Sequence, residues 1–132
     1  MKQGAATIAV GLLLVMMTVG DAVAVAQVPV RAWSITVQVR TTKPDGAAWD
    51  ALGGAPDIGI CTTSSGGAGC AMAEGTVARC QDSFSCAFEL QLPASFSASF
   101  WDLDVAADDL IGNCFIDRPG TYQCGSATVT AR

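Results

Sequence analysis

From Trp33 onward the chain alternates. In "WSITVQVR", Trp33, Ile35, Val37 and Val39 fall on one side of an extended backbone, and Ser34, Thr36, Gln38 and Arg40 on the other. "SCAFELQL" repeats the pattern, with Cys86, Phe88, Leu90 and Leu92 opposed to Ala87, Glu89 and Gln91. "SFSASF" and the terminal "SATVTA" alternate without a break, and "DIGICTT", "TVAR" and "LIGNCFI" are shorter candidates. A helical period is hard to find. Turn signals separate the runs: Pro44-Asp45-Gly46, Gly53-Gly54, Ser64 to Gly69, Pro93 and Pro119-Gly120. Seven or eight short strands, each with one apolar face, predict an all-β fold, an antiparallel Greek-key β-sandwich. The stretch "TTSSGGAGC" is low in complexity, but Cys61 and Cys70 bracket it, so it reads as a tethered hairpin loop.

Residues 1–26 stand apart from this pattern. A nearly unbroken apolar and small-residue stretch, "GAATIAVGLLLVMMTVG", follows Met1-Lys2-Gln3. Two small-x-small sites come next, Ala22-Val23-Ala24 and Ala24-Val25-Ala26, the second being the better fit to a cleavage site. This is the layout of a secretory signal peptide. An uncleaved membrane anchor is the alternative, since the run is borderline for a span of ~20 residues. Residues 27–132 are then a single small sandwich domain, secreted, periplasmic or displayed at a cell surface. A domain of ~100 residues buries a core but keeps a thin stability margin.

All six cysteines fall in residues 27–132. An even count in an exported small domain reads as three disulfides. No histidine is present, and no cysteine pair has the two-residue gap of a zinc knuckle, which argues against zinc. Spacing alone leaves the pairing open; near neighbours are preferred, Cys61 with Cys70, Cys80 with Cys86, and Cys114 with Cys124. The net charge is −5, and losing Lys2 and Asp21 together leaves it there. That argues against nucleic acid, whose affinity rests on basic side chains meeting phosphates. It also argues against direct attraction to anionic lipid.

One segment concentrates charge. "FWDLDVAADDLIG" places Asp102, Asp104, Asp108 and Asp109 within eight residues. Alternate strand residues share a face ~6.6 Å apart, so Asp102 and Asp104 point the same way as the strand ends. Unscreened, each close pair of carboxylates costs a few kcal/mol at an effective dielectric of ~20. Either the acids splay into water or a cation sits among them. Calcium suits the second remedy, taking six to eight oxygens at ~2.3–2.6 Å with forgiving geometry. An EF-hand loop starting at Asp102 fails, because Ala106, Ala107 and Asn113 stand where an oxygen ligand, a glycine and a glutamate are needed. A second acidic segment, "WDALGGAPDIGI", carries Asp50 and Asp57 around a glycine-rich loop with a strand directly after it. Loops at one end of a sandwich are neighbours, so the two segments can share an ion.

These two segments resemble the calcium loops of C2 domains, the eight-stranded calcium- and phospholipid-binding sandwiches. The third calcium loop of that family reads aromatic-Asp-x-Asp, a short turn, then Asp-Phe/Leu-Ile-Gly; "WDLDVAADDLIG" is similar to it. The first loop ends in Ser-Asp-Pro-Tyr-Val with another aspartate some six residues earlier. Here Asp50 stands seven before Asp57, and Ile58 replaces the proline. The likeness covers about Trp33 to Ile116, without the family's Asn-Pro-x-Trp-Asn-Glu signature. The tail from Asp117 is shorter than the family's, which leaves room for a missing strand or a disulfide-pinned substitute. The resemblance implies Ca2+ ligands at Asp50, Asp57, Asp102, Asp104 and Asp109, completed by backbone carbonyls near Trp49 and Leu103. Asp108 is then a solvated neighbour, and Asp45 competes with Asp50 for the first position. It also implies calcium-dependent contact with anionic phospholipid, or with a cell-surface protein or glycan. The loop tips offer only Leu52 and Val105 for insertion and no basic residue, so lipid binding is expected to be weak. An ion-independent, disulfide-stabilised interaction module is the alternative. No basic phosphoinositide cluster appears around "CAFELQL".

An enzyme is not expected, since the chain has no histidine base, no Gly-x-Ser-x-Gly and no phosphate-binding glycine loop. Two aspartates can serve a glycosidase, but four on one loop suit a cation better. Trp33, Phe88, Phe96 and Phe100 read as core. Trp49 and Trp101 read as braces for the loop bases. Glu74, Asp82, Asp117 and Arg118 read as ordinary surface or turn residues.

Overall fold

The computed structural model describes residues 20, 28–63, 70 and 75–132. The proposed leader apart from Gly20, its cleavage sites, the Ser64 to Gly69 loop and Glu74 lie outside the described residues. Eight strands form: β1 (Val30–Val39), β2 (Ile58–Thr63), β3 (Ala78–Cys80), β4 (Ser85–Pro93), β5 (Phe96–Asp102), β6 (Asp109–Ile116), β7 (Gly120–Cys124) and β8 (Ala127–Ala131). They make two antiparallel four-stranded sheets, ordered β4-β1-β8-β7 and β3-β2-β5-β6. Among the described residues no helix is long and apolar enough to cross a membrane.

The alternating runs become the inner faces of the two sheets. Trp33, Ile35 and Val37 of β1 are fully buried, as are Ile58 and Ile60 of β2 and Phe96, Ala98 and Phe100 of β5. The sheets meet through rings as well as aliphatics: Trp33 and Phe96 pack edge to face with centroids 5.4 Å apart. The Trp33 indole N–H donates to the Pro93 carbonyl at 3.0 Å, where the chain leaves β4 and turns into β5 in the other sheet. The indole is therefore buried without stranding its donor.

Three disulfides form, pairing Cys61 with Cys70, Cys80 with Cys86, and Cys114 with Cys124. The last two join one sheet to the other: β3 to β4 with Cα atoms 6.2 Å apart, and β6 to β7 at 5.1 Å. A domain this small has little core to spare, and covalent ties between its layers compensate. They are consistent with an extracellular or otherwise oxidising location.

The tail takes the disulfide-pinned form, with Cys114–Cys124 fastening Gly120–Cys124 to β6. No strand is missing there: Gly120–Cys124 forms β7, which turns through Gly125-Ser126 and pairs with β8. The segment "GTYQC" gave no strand signal because it is polar and lies at a sheet edge, so only Tyr122 and Cys124 pack inward. The Tyr122 hydroxyl donates to the Arg118 carbonyl at 2.6 Å and accepts the Arg118 N–H at 3.3 Å, closing the turn before the strand.

Gly112 of β6 meets the turn after β7 at a distance only glycine allows. A Cβ there would stand 1.9 Å from the Cys124 carbonyl oxygen, whereas a Cβ on Gly120 would meet nothing nearer than Tyr122 at 3.9 Å. Gly112→Ala is therefore expected to destabilise the domain by roughly 1–3 kcal/mol, with Gly120→Ala nearly silent. Urea unfolding of the two variants beside the parent checks the contrast.

Candidate metal centre

The acidic rim is built by the β5–β6 hairpin. Phe96, Ala98, Phe100 and Asp102 occupy successive inward positions of β5, so a carboxylate ends an apolar row. Asp109 starts β6 directly opposite Asp102. That pairing depends on an irregularity. Phe100 pairs with Gly112, but Trp101 pairs with Leu110, leaving Ile111 as the extra residue of a bulge. In unbroken register Leu110 would face Asp102 instead, since a shift of one residue exchanges the faces. The Ile111 carbonyl accepts the Ser126 N–H at 2.9 Å, so the β7–β8 turn holds the bulge in place.

Asp104 follows as the chain leaves β5. Its N–H donates to Asp108 Oδ1 at 3.0 Å, which folds the "VAA" turn back on itself. Asp108 is exposed, as expected, and acts through this bond. Carboxylate oxygens of Asp102, Asp104 and Asp109 all lie within 4.8 Å of one another. Oxygens ~2.3–2.6 Å from a common calcium ion lie at most about 5 Å apart, so this spacing fits one ion.

The glycine-rich loop meets the hairpin through the backbone. The Asp57 N–H donates to Asp102 Oδ1 at 2.9 Å, and the Leu103 N–H returns to the Asp57 carbonyl at 2.9 Å. The two acidic segments thus occupy the same rim. Asp50, Asp57, Asp102 and Asp104 line one cavity of about 260 Å³. Asp50 and Asp57 stand outside the tight trio. Asp50 Oδ1 accepts the Leu52 N–H at 3.2 Å, and a Cβ on Gly54 would meet Asp50 Oδ2 at 3.0 Å. The loop glycine therefore lets this carboxylate fold inward. Asp45 instead caps its own turn through the Ala47 N–H at 2.9 Å and borders a separate cavity beside Trp49 and Asp109. Of the two tryptophans, Trp49 is buried with its indole N–H on the Arg40 carbonyl at 2.7 Å, whereas Trp101 is half-buried and its indole nitrogen has no partner.

Two residues of the rim gave no sequence signal. Asp82, read as plain surface charge, lines the same cavity, and its N–H donates to Asp57 Oδ1 at 2.7 Å. Its backbone takes the left-handed conformation, φ 48°, that aspartate tolerates better than most residues. Lys43 is the other. Its Nζ lies 2.5 Å from Asp109 Oδ2, across 66 residues of chain. Nothing local in "TTKPDG" reports a partner that distant.

Asp102 is the electrostatic centre. It is 2 % exposed, Oδ1 is held by the Asp57 N–H, and Oδ2 is buried without a partner. Burial pushes its carboxyl from the ordinary range up to about 6; Asp104 and Asp109 add to the rise, while the Asp57 N–H and Lys43 oppose it. Asp104 is also raised, by burial and then by Asp109, and Asp50 adds to it through space. The Lys43 ammonium is held above its usual value, chiefly by its hydrogen bond to Asp109.

An acid whose pKa is higher folded than unfolded binds its proton more tightly in the fold. Protonation of Asp102 therefore favours the fold at low pH, and this contribution is lost as pH rises from near 4 through about 6. In excess chelator the protein is expected to be more stable at pH 5 than at pH 7, by about 1 kcal/mol from this group. Asp102→Asn should flatten that dependence and raise the melting temperature at pH 7. Thermal melts from pH 4 to 8 check both. Comparisons with protein-family models, with curated proteins and with solved structures return no match to this chain.

Proposed function

We propose that this chain is a secreted, C2-like module that binds a calcium ion at the rim where its two acidic loops meet. The observation that carries the reading is Asp102, a buried carboxylate whose Oδ2 has no partner, in a group with Asp104 and Asp109 in which one oxygen of each lies within 4.8 Å of the others. An unpaired buried carboxylate oxygen is expensive, and a divalent ion is the remedy matching an all-oxygen donor set. Asp102, Asp104 and Asp109 are the core of the ligand set. Asp50, Asp57 and Asp82 border the cavity and complete it directly or through water. As an extracellular-type site it binds in the range of about 10⁻⁴–10⁻³ M. The ion cancels repulsion that the fold otherwise carries, so binding stabilises the domain by mass action.

Leu52 and Val105 stand fully exposed at the two loop tips. Among the described residues they are the large apolar side chains those tips offer to a lipid surface. One divalent ion together with Lys43 leaves the carboxylates of Asp50, Asp57, Asp82, Asp102, Asp104 and Asp109 in excess. The rim therefore stays acidic, and affinity for anionic phospholipid is low. Contact with a protein or glycan at a cell surface needs no such charge reversal. A second reading, an ion-independent interaction module, draws on one observation: the Lys43 ammonium already partners Asp109.

Calorimetric titration and melting with and without millimolar calcium separate the readings. The expected result is binding at sub-millimolar to millimolar calcium and a melting temperature raised by several degrees over the chelator sample. Asp102→Asn combined with Asp104→Asn should abolish both responses while leaving the domain folded. Identical melts in calcium and chelator would favour the ion-free module. Co-sedimentation with phosphatidylserine vesicles then tests the lipid arm, which ends if no calcium-dependent pelleting occurs.

A further inference from the structure

We infer that Lys43 is a built-in counter-ion of the acidic rim, an ammonium that an incoming divalent cation must displace and that thereby sets the affinity of the site. The inference rests on the calcium reading above and adds a residue that neither the acidic motifs nor the resemblance includes.

Three features make Lys43 a placed group and not a passing surface lysine. Its backbone is locked: the Lys43 N–H donates to the Ala47 carbonyl at 2.8 Å and the Gly46 N–H to the Lys43 carbonyl at 2.9 Å. Gly46 takes φ +84°, a conformation glycine adopts without strain, so the Pro44-Asp45-Gly46 turn aims the side chain. The side chain is three-quarters covered, at 23 % exposure, and its Nζ reaches Asp109 Oδ2, an oxygen of a residue in the tight trio. It also lies 5.8 Å from the centroid of the buried Trp49 ring.

These contacts define two arrangements of one side chain. Without an ion the ammonium neutralises Asp109 but does not reach Asp102 Oδ2, which stays unpartnered. A calcium ion bridging Asp102, Asp104 and Asp109 competes for the same Asp109 carboxylate and repels the ammonium beside it. The displaced ammonium has somewhere to go. A cavity of about 260 Å³ is lined by Lys43, Asp45, Trp49 and Asp109, so the side chain can move toward Asp45 and keep the tryptophan face. Displacement opposes binding, so the lysine keeps affinity low and lets the ion-free domain remain folded.

The test uses the full chain and calcium alone as the ligand. Calorimetric titration of the parent, Lys43→Met and Lys43→Arg is expected to show calcium binding about tenfold tighter in Lys43→Met. Lys43→Arg should stay close to the parent. In chelator, Lys43→Met should melt lower than the parent, and millimolar calcium should restore it. A readout on the unmutated chain accompanies this: brief acetylation followed by mass spectrometry, with a lysine-containing peptide added to the same tube as the reference. Calcium should raise acetylation of Lys43 relative to that peptide, and magnesium far less.

Equal calcium dissociation constants for parent and Lys43→Met, with Lys43 acetylation unchanged by calcium, would overturn the counter-ion inference and leave the calcium reading standing. Binding by Lys43→Met alone would uphold the inference and make the parent an ion-free module. No binding by either chain would overturn both. If Lys43→Met fails to fold even in calcium, Lys43→Gln and the acetylation measurement decide the matter.

Discussion

The rim of this sandwich is organised by the burial of one carboxylate. Asp102 stands where the apolar row of β5 would otherwise run on into the core, and it is nearly as inaccessible as Phe100 before it. Burying an ionised group with only one oxygen satisfied costs several kcal/mol unless a charge answers it. Its surroundings are arranged as partial answers. The Asp57 N–H satisfies one oxygen, Lys43 reduces the surrounding negative potential, and the pKa rises so that a proton can serve when nothing else does. The oxygen left over, Oδ2, has no partner.

That arrangement depends on the sandwich more than on the loops. Asp102 and Asp109 face each other because β5 and β6 pair antiparallel with one bulge, and the bulge is fastened to the β7–β8 turn at Ser126. The same turn approaches Gly112 too closely for any side chain, and the Cys114–Cys124 disulfide ties β6 to β7 two residues further along β6. The tail, with no acidic residue in the cluster, therefore holds the register on which the cluster depends. On the opposite side, Asp57 joins the rim because β2 pairs with β5, placing Ile58 opposite Asp102. Rigid neighbours on both sides make a preformed group of oxygens, which reduces the ordering cost of binding an ion.

On the calcium reading proposed above, charge balance gives the rim two states. In one, an ammonium and a proton share the task of offsetting clustered carboxylates. In the other, a divalent ion does so more completely. Membrane contact is a separate matter, because the rim remains acidic in both states.

Much of this was legible in the chain before folding. Period-two alternation marks β1, β4, β5 and β8, and the paired-aspartate strand end marks the site, because sheet geometry maps alternate residues onto one face irrespective of what they later pack against. Near-neighbour cysteines paired as their spacing favoured, since short separations are closed by adjacent strands and turns. The rest depended on long-range placement. No local pattern announces that Lys43 meets Asp109, that Asp82 from the β3–β4 turn reaches the Asp57 carboxylate, or that one bulged residue decides which way Asp109 points. A polar edge strand such as β7 likewise carries little signal, because only one or two of its side chains are buried. The chain by itself determined the elements, their faces and the acidic chemistry, which are matters of neighbouring residues. Only the tertiary structure decided which acids converge, which one loses its water and which cation already stands beside them, because those follow from register and burial across distant strands.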